Sequence, residues 1–117
     1  ADPIFLPDLT VGEHIDLIAR TTGVDFAEII ELWALEEHLP HPATRLSAGQ
    51  RQRVFLAIQL YQPAQVLLID EPERHLDAEW TQFLSSELRH LAKEGRCIIV
   101  ASHSPTVTDA CDELVEL

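Results

Sequence analysis

The chain has 117 residues, 46% hydrophobic and 24% charged, with a formal net charge of −12. That length and composition suit one soluble domain whose core needs neither disulfides nor metals, and the acidic balance excludes the clustered Lys and Arg of a nucleic-acid footprint. No apolar run approaches the roughly 20 residues of a membrane-spanning helix and no signal-like N-terminus is present, so a cytosolic protein is expected.

The absence of methionine and the start at Ala1-Asp2-Pro3 read as a fragment of a longer polypeptide. Residues 3–8 read as an extended lead-in. Thr10-Val11-Gly12-Glu13 has the form of a capping box, so a helix is predicted to begin there, with Val11, Ile15, Ile18 and Ala19 as its apolar stripe and Gly23 as its left-handed stop. Asp25 and Glu28 repeat the capping arrangement. They open a second predicted helix with Phe26, Ile29, Ile30, Trp33 and Leu39 on its apolar face, ended by Pro40 and Pro42. Ser47 starts a third, with Val54, Ile58 and Tyr61 on one face and Pro63 as its stop.

Val66–Asp70 is a continuous apolar run of strand length, which predicts a strand buried on both faces of a mainly parallel sheet. Asp77 caps a fourth predicted helix carrying Trp80, Phe83, Leu84, Leu88 and Leu91 and ending near Gly95. Cys97–Ala101 reads as a second buried strand, Ser104-Pro105 as the start of a short helix, and Glu113–Leu117 as a last strand. Cys97 and Cys111 fall on apolar-patterned segments and read as reduced packing residues, not nucleophiles. His38 and His41 beside Glu36 and Glu37 read as a solvated helix end, since no distant ligand pair completes a tetrahedral set.

Two places carry chemistry. A strand of an open α/β sheet ends where ligands bind, so Asp70 can hold Mg²⁺ through water and Glu71 can orient or deprotonate an attacking water. His103, two residues beyond the second strand, joins them as a catalytic candidate. Ser47, Ala48, Gly49 and Gln50 open the third helix, whose unpaired N–H groups and positive dipole end make a natural seat for a phosphate.

Leu46-Ser47-Ala48-Gly49-Gln50-Arg51-Gln52-Arg53, then Val66-Leu67-Leu68-Ile69-Asp70-Glu71-Pro72, then His75-Leu76-Asp77, then His103, closely resemble the ATP-binding cassette (ABC) ATPases in order and spacing. The resemblance implies that Ser47, Ala48, Gly49 and Gln50 are the signature motif. It makes Asp70 and Glu71 the Walker B aspartate and catalytic glutamate, Asp77 the D-loop aspartate, and His103 the switch histidine. Leu9-Thr10-Val11-Gly12-Glu13-His14-Ile15 resembles the opening of the helical subdomain of transporter ATPases.

Two departures stand out. Ala48 replaces the more frequent second glycine of the signature. The phosphate-cradling Gly-x-x-x-x-Gly-Lys-Ser/Thr loop (Walker A), the adenine-stacking aromatic and the Q-loop glutamine have no match in these 117 residues.

By this resemblance the fold class is α/β, a partial P-loop NTPase (RecA-like) core with parallel strands plus the ABC helical subdomain. Residues 9–46 form that subdomain, and residues 47–117 the signature helix with the C-terminal part of the core. The two predicted strands should be neighbours with an uncovered sheet edge and apolar surface, favouring self-association. The implied cofactors are ATP and Mg²⁺. The implied partners are a second ABC ATPase subunit in a head-to-tail dimer and a transmembrane transporter subunit, with no direct nucleic-acid contact. The implied location is the cytoplasmic face of a membrane. The readings kept beside a transporter ATPase are a DNA-repair or chromosome-maintenance ATPase and a non-catalytic docking module, and the 117-residue chain alone is expected to be inactive.

Overall fold

A computed structural model of the chain describes residues 5–111. In order, the elements are α1 (Val11–Thr22), α2 (Ala27–Leu32), single 3-10 turns at Glu36–His38 and Ala43–Arg45, α3 (Ala48–Gln59), β1 (Val66–Asp70), α4 (Ala78–Lys93), β2 (Cys97–Ala101) and α5 (Pro105–Thr108). They fall into two compact units, Ala1–Pro63 and Ala64–Leu117, so that α3 belongs with the helices before it. The predicted strand at Glu113–Leu117 lies outside the described residues.

The first unit is helical. α1 begins with the predicted capping box: Glu13 N–H donates to Thr10 Oγ1 at 3.2 Å and Thr10 N–H donates to Glu13 Oε1 at 2.8 Å. Two further N–H groups of its first turn, which no helix can satisfy internally, donate to carbonyls of the loop after α2: Val11 to His41 and Gly12 to Leu39, both at 2.9 Å. The helix stops at Gly23, held in the left-handed region at φ 77°. Val11 and Ile15 are buried, with Ile18 and Ala19 half-buried beside them, as the stripe predicts. The lead-in is turned instead of extended where it is described, with Leu9 N–H donating to Leu6 O at 3.3 Å.

The second predicted helix is much shorter than its apolar pattern suggests. Asp25 Oδ1 accepts from Ala27 N–H at 3.0 Å, a local turn, and Phe26 takes the N-cap with no side-chain bond, so the predicted capping box does not form. α2 then closes in a Schellman arrangement, with Leu35 N–H on Ile30 O at 2.9 Å and Ala34 N–H on Glu31 O at 3.1 Å. Ala34 sits in the left-handed position at φ 53°. Arg53 of α3 steadies that end by donating from Nη1 to Trp33 O at 2.9 Å. Trp33 and Leu35 are wholly buried, and the indole N–H of Trp33 donates to Tyr61 Oη at 2.9 Å. α3 packs against α1. Val54, Leu56, Ala57 and Leu60 fill the interior from that segment, whereas the predicted face residues Ile58 and Tyr61 are only half-buried.

In the second unit β1 and β2 pair in parallel, from Val66 opposite Cys97 to Asp70 opposite Ala101, which realises the predicted neighbourhood of the two strands. α4 packs on β2 and α5, and its Leu84, Leu88 and Leu91 join Leu67, Ile69 and Val107 as the buried set. Burial on both faces is not realised. β1 alternates, with Leu67 and Ile69 buried while Val66 is 54% and Leu68 72% exposed, and Ile99 on β2 is 55% exposed. The reason is that helices cover one face of this two-stranded sheet within the described residues, leaving the other open. Cys97 and Cys111 are free, as expected, but exposed instead of packed. Trp80 and Phe83 are half-buried and meet edge to face, ring centroids 5.3 Å apart.

Candidate functional site

Each unit carries one of the two predicted places. In the first, Ser47 is the N-cap of α3 and forms a second capping box: its Oγ accepts from Gln50 N–H at 3.1 Å, and Gln50 Oε1 accepts from Ser47 N–H at 2.9 Å. Arg51 holds the preceding turn by donating from Nη1 to Leu46 O at 2.8 Å. The cap uses a lone pair of the Ser47 hydroxyl and leaves its O–H able to donate outward. Ala48 and Gly49 occupy the first turn, where N–H groups have no intrahelical acceptor, and Ser47 is exposed with Ala48, Gly49 and Gln50 half-buried. The four residues therefore form one donor-rich helix start, and the glycine keeps the approach to it free of a side chain.

The second place is the carboxyl edge of the sheet. Asp70 ends β1 opposite Ala101, the last residue of β2, and the parallel ladder runs one bond further, with Glu71 N–H donating to Ala101 O at 2.7 Å. This register puts the residues just beyond each strand side by side. Glu71 Oε1 lies 3.4 Å from His103 Nε2, with the imidazole 94% and the carboxylate 40% exposed. The structure thus brings together three of the predicted residues, Asp70 and Glu71 through the chain and His103 through the pairing.

The backbone at Glu71 is not relaxed. Its φ is 45°, a conformation costly for a side chain with a Cβ, and the next residue is the fully buried Pro72. A turn follows, with Arg74 N–H on Glu71 O at 3.1 Å and Leu76 N–H on Glu73 O at 3.0 Å, and His75 is again left-handed at φ 65°. Asp77 closes it as the N-cap of α4, its Oδ1 accepting from Trp80 N–H at 2.8 Å. The predicted D-loop aspartate therefore has a local structural role as a helix cap.

One contact at this edge was not anticipated. Ser102, immediately before His103, donates its hydroxyl to the Glu73 carboxylate, at 2.6 Å from one oxygen and 3.0 Å from the other, while its Oγ accepts from Ser104 N–H at 3.0 Å. No spacing rule flags this pair, because the partners are 29 positions apart and meet only through the parallel pairing.

A domain family described as "AAA domain, putative AbiEii toxin, Type IV TA system" matches residues 3–109. The chain is 32% identical over 111 residues to the ABC transporter ATP-binding/permease protein Rv1747 of Mycobacterium tuberculosis, covering 95% of the chain and 12% of that protein. It is 28% identical over 119 residues to the macrolide export ATP-binding/permease protein MacB of Salmonella choleraesuis, covering 96% of the chain and 18% of that protein. The chain thus spans less than a fifth of these relatives.

Among solved structures, an ATP-binding subunit of an ABC transporter superposes with a TM-score of 0.84 at 24% identity, over 95% of the chain and 50% of that subunit. The bacterial ABC transporter cassette MJ0796, solved as a dimer, gives 0.73 at 25% identity over 90% of the chain and 50% of the cassette. These likenesses support the α/β class, with the two parallel strands as part of a P-loop NTPase core. The chain belongs to this AAA-domain family, and in sequence and fold it is similar to part of the ATP-binding portions of ABC transporter proteins.

Proposed function

We propose that the chain is the signature- and Walker-B-bearing portion of the ATP-hydrolysing subunit of an ABC transporter, coupling ATP hydrolysis to transport. The observation that carries this reading is the meeting of Glu71 and His103 at 3.4 Å on the edge where Asp70 ends its strand. A non-catalytic docking module gives no physical reason for a carboxylate in strained backbone to face an imidazole there.

In this mechanism Glu71 orients the hydrolytic water and accepts its proton as the water oxygen attacks the γ-phosphorus, while the bond from the γ-phosphorus to the bridging oxygen breaks and ADP departs with its electron pair. His103 donates to a γ-phosphate oxygen and holds the water against Glu71. Asp70 fits a hard cation, being an exposed carboxylate at the end of β1. When bound, Mg²⁺ held through water by Asp70 would neutralise charge on the triphosphate oxygens. Ser47 O–H and the Gly49 N–H, at the start of α3, donate to the γ-phosphate of a nucleotide seated in the Walker A loop of a second ATPase subunit, in head-to-tail pairing. Asp77 lies at the interface of that dimer. Catalysis of this kind rests on positioning and charge stabilisation.

The membrane-embedded partner is a transporter subunit or domain, contacted through the helical part, which places the ATPase at the cytoplasmic face. Support for a transporter over a repair or chromosome-maintenance ATPase comes from relatives named as ATP-binding/permease proteins and from the short helices that precede Ser47.

The test is Glu71→Gln in the complete subunit. The amide keeps the shape and loses the base, so ATP turnover is expected to fall by at least about 100-fold with ATP binding retained. Wild-type hydrolysis by that variant would refute the assignment.

A further inference from the structure

Building on the reading of Glu71 as the group that activates water, we propose that Glu73 is a positioning residue that holds the loop bearing His103 in register with Glu71, acting through Ser102. His103 is poorly held by its own surroundings: its side chain is 94% exposed and its contact to Glu71 is long, at 3.4 Å. Its place is therefore set by the backbone on either side of it, and both sides are tied to one hydroxyl. Ser102 precedes it and Ser104 follows it, and Ser104 N–H donates to Ser102 Oγ at 3.0 Å.

That hydroxyl has a single proton. An ionised carboxylate only accepts, so the Ser102 proton is committed to Glu73, and the 2.6 Å separation is that of a charge-assisted bond. Both side chains are half-buried, which limits competition from water. At its other end Glu73 is anchored in the turn that begins at Glu71, where Leu76 N–H donates to Glu73 O at 3.0 Å. The path from Glu71 along two peptide bonds to Glu73, across the hydrogen bond to Ser102 and on to His103 closes a small ring around the catalytic pair. Opening that ring frees the imidazole while leaving the helix start at Ser47 and the strand end at Asp70 untouched. The signature is a loss in kcat at an unchanged KM.

The experiment is steady-state MgATP hydrolysis by the complete subunit, with Glu71→Gln run in parallel. Glu73→Ala is expected to lower kcat about tenfold with KM within about twofold, and Ser102→Ala to do the same. Because both cut one link, the double variant should be no slower than the slower single variant. Ser102→Thr, which keeps the hydroxyl, should recover most of the rate. If Glu73→Ala does not fold, Glu73→Gln replaces it: the amide oxygen still accepts but carries no charge, and an intermediate kcat, about threefold below wild type, is expected.

A wild-type kcat for Glu73→Ala (or for Glu73→Gln in its place), losses that multiply in the double variant, or a Ser102→Thr as slow as Ser102→Ala would each overturn the proposal. If Glu71→Gln is inactive while the Glu73 variant is fully active, this inference alone fails. If Glu71→Gln retains turnover, the underlying reading fails and takes this one with it.

Discussion

Gly12 stands at a close approach and has no unusual backbone angle. A Cβ built there would stand 3.1 Å from Leu39 O, the same oxygen that accepts the Gly12 N–H at 2.9 Å. Gly12→Ala must push the loop away or lose that bond, at a cost of about 1 kcal/mol in equilibrium denaturation. Its neighbour Glu13 is sensitive to pH. The backbone N–H of Thr10, and after it the Thr10 side chain, hold the Glu13 carboxyl below the usual glutamate range. A carboxylate whose pKa is depressed by folding contributes stability that is full above its unfolded pKa and lost as pH falls through the folded one. Acidification below roughly pH 4.5 should therefore lower the melting temperature. Glu13→Gln, which keeps an acceptor but does not titrate, should flatten that slope, and melts across the acid range check it. Both the capping box and the glycine stop of α1 were legible in the sequence because they are local. The reason for Gly12 was not, since Leu39 comes from a distant loop.

At the scale of the element, α2 shows where apolar periodicity misleads. Phe26, Ile29, Ile30 and Trp33 follow a helical pattern, yet the helix ends at Leu32 because Ala34 turns left-handed and Arg53 takes the Trp33 carbonyl. An alanine sends no stop signal, so the break is written in the tertiary contact. The left-handed conformation costs a residue with a Cβ about 1–2 kcal/mol, partly offset because glycine loses more entropy on folding. Ala34→Gly should thus stabilise the protein by about 0.5–1 kcal/mol in denaturant titrations. The strands were legible from their apolar runs and their parallel neighbourhood from the family resemblance, but their one-sided burial was not. A continuous run of Val, Leu and Ile states that both faces tolerate apolar contact, and only the packing shows that Val66, Leu68 and Ile99 lack cover here.

For the whole molecule, ATP turnover needs a phosphate cradle, and none of the 117 residues forms a Gly-x-x-x-x-Gly-Lys-Ser/Thr loop. The purified 117-residue chain alone should release no phosphate from ATP above background, and turnover that vanishes on Glu71→Gln would contradict this. Sequence by itself determined the family resemblance, the helix caps at Thr10, Ser47 and Asp77, the strands β1 and β2, and the candidates Asp70, Glu71 and His103. These are carried by residue types at short or fixed spacings, which physics reads locally. Only the tertiary structure decided that Glu71 and His103 meet, that Glu73 and Ser102 bind each other across 29 positions, and that α2 stops where it does. Each of those depends on which distant backbone a segment lies against, and that is set by parallel pairing and side-chain packing.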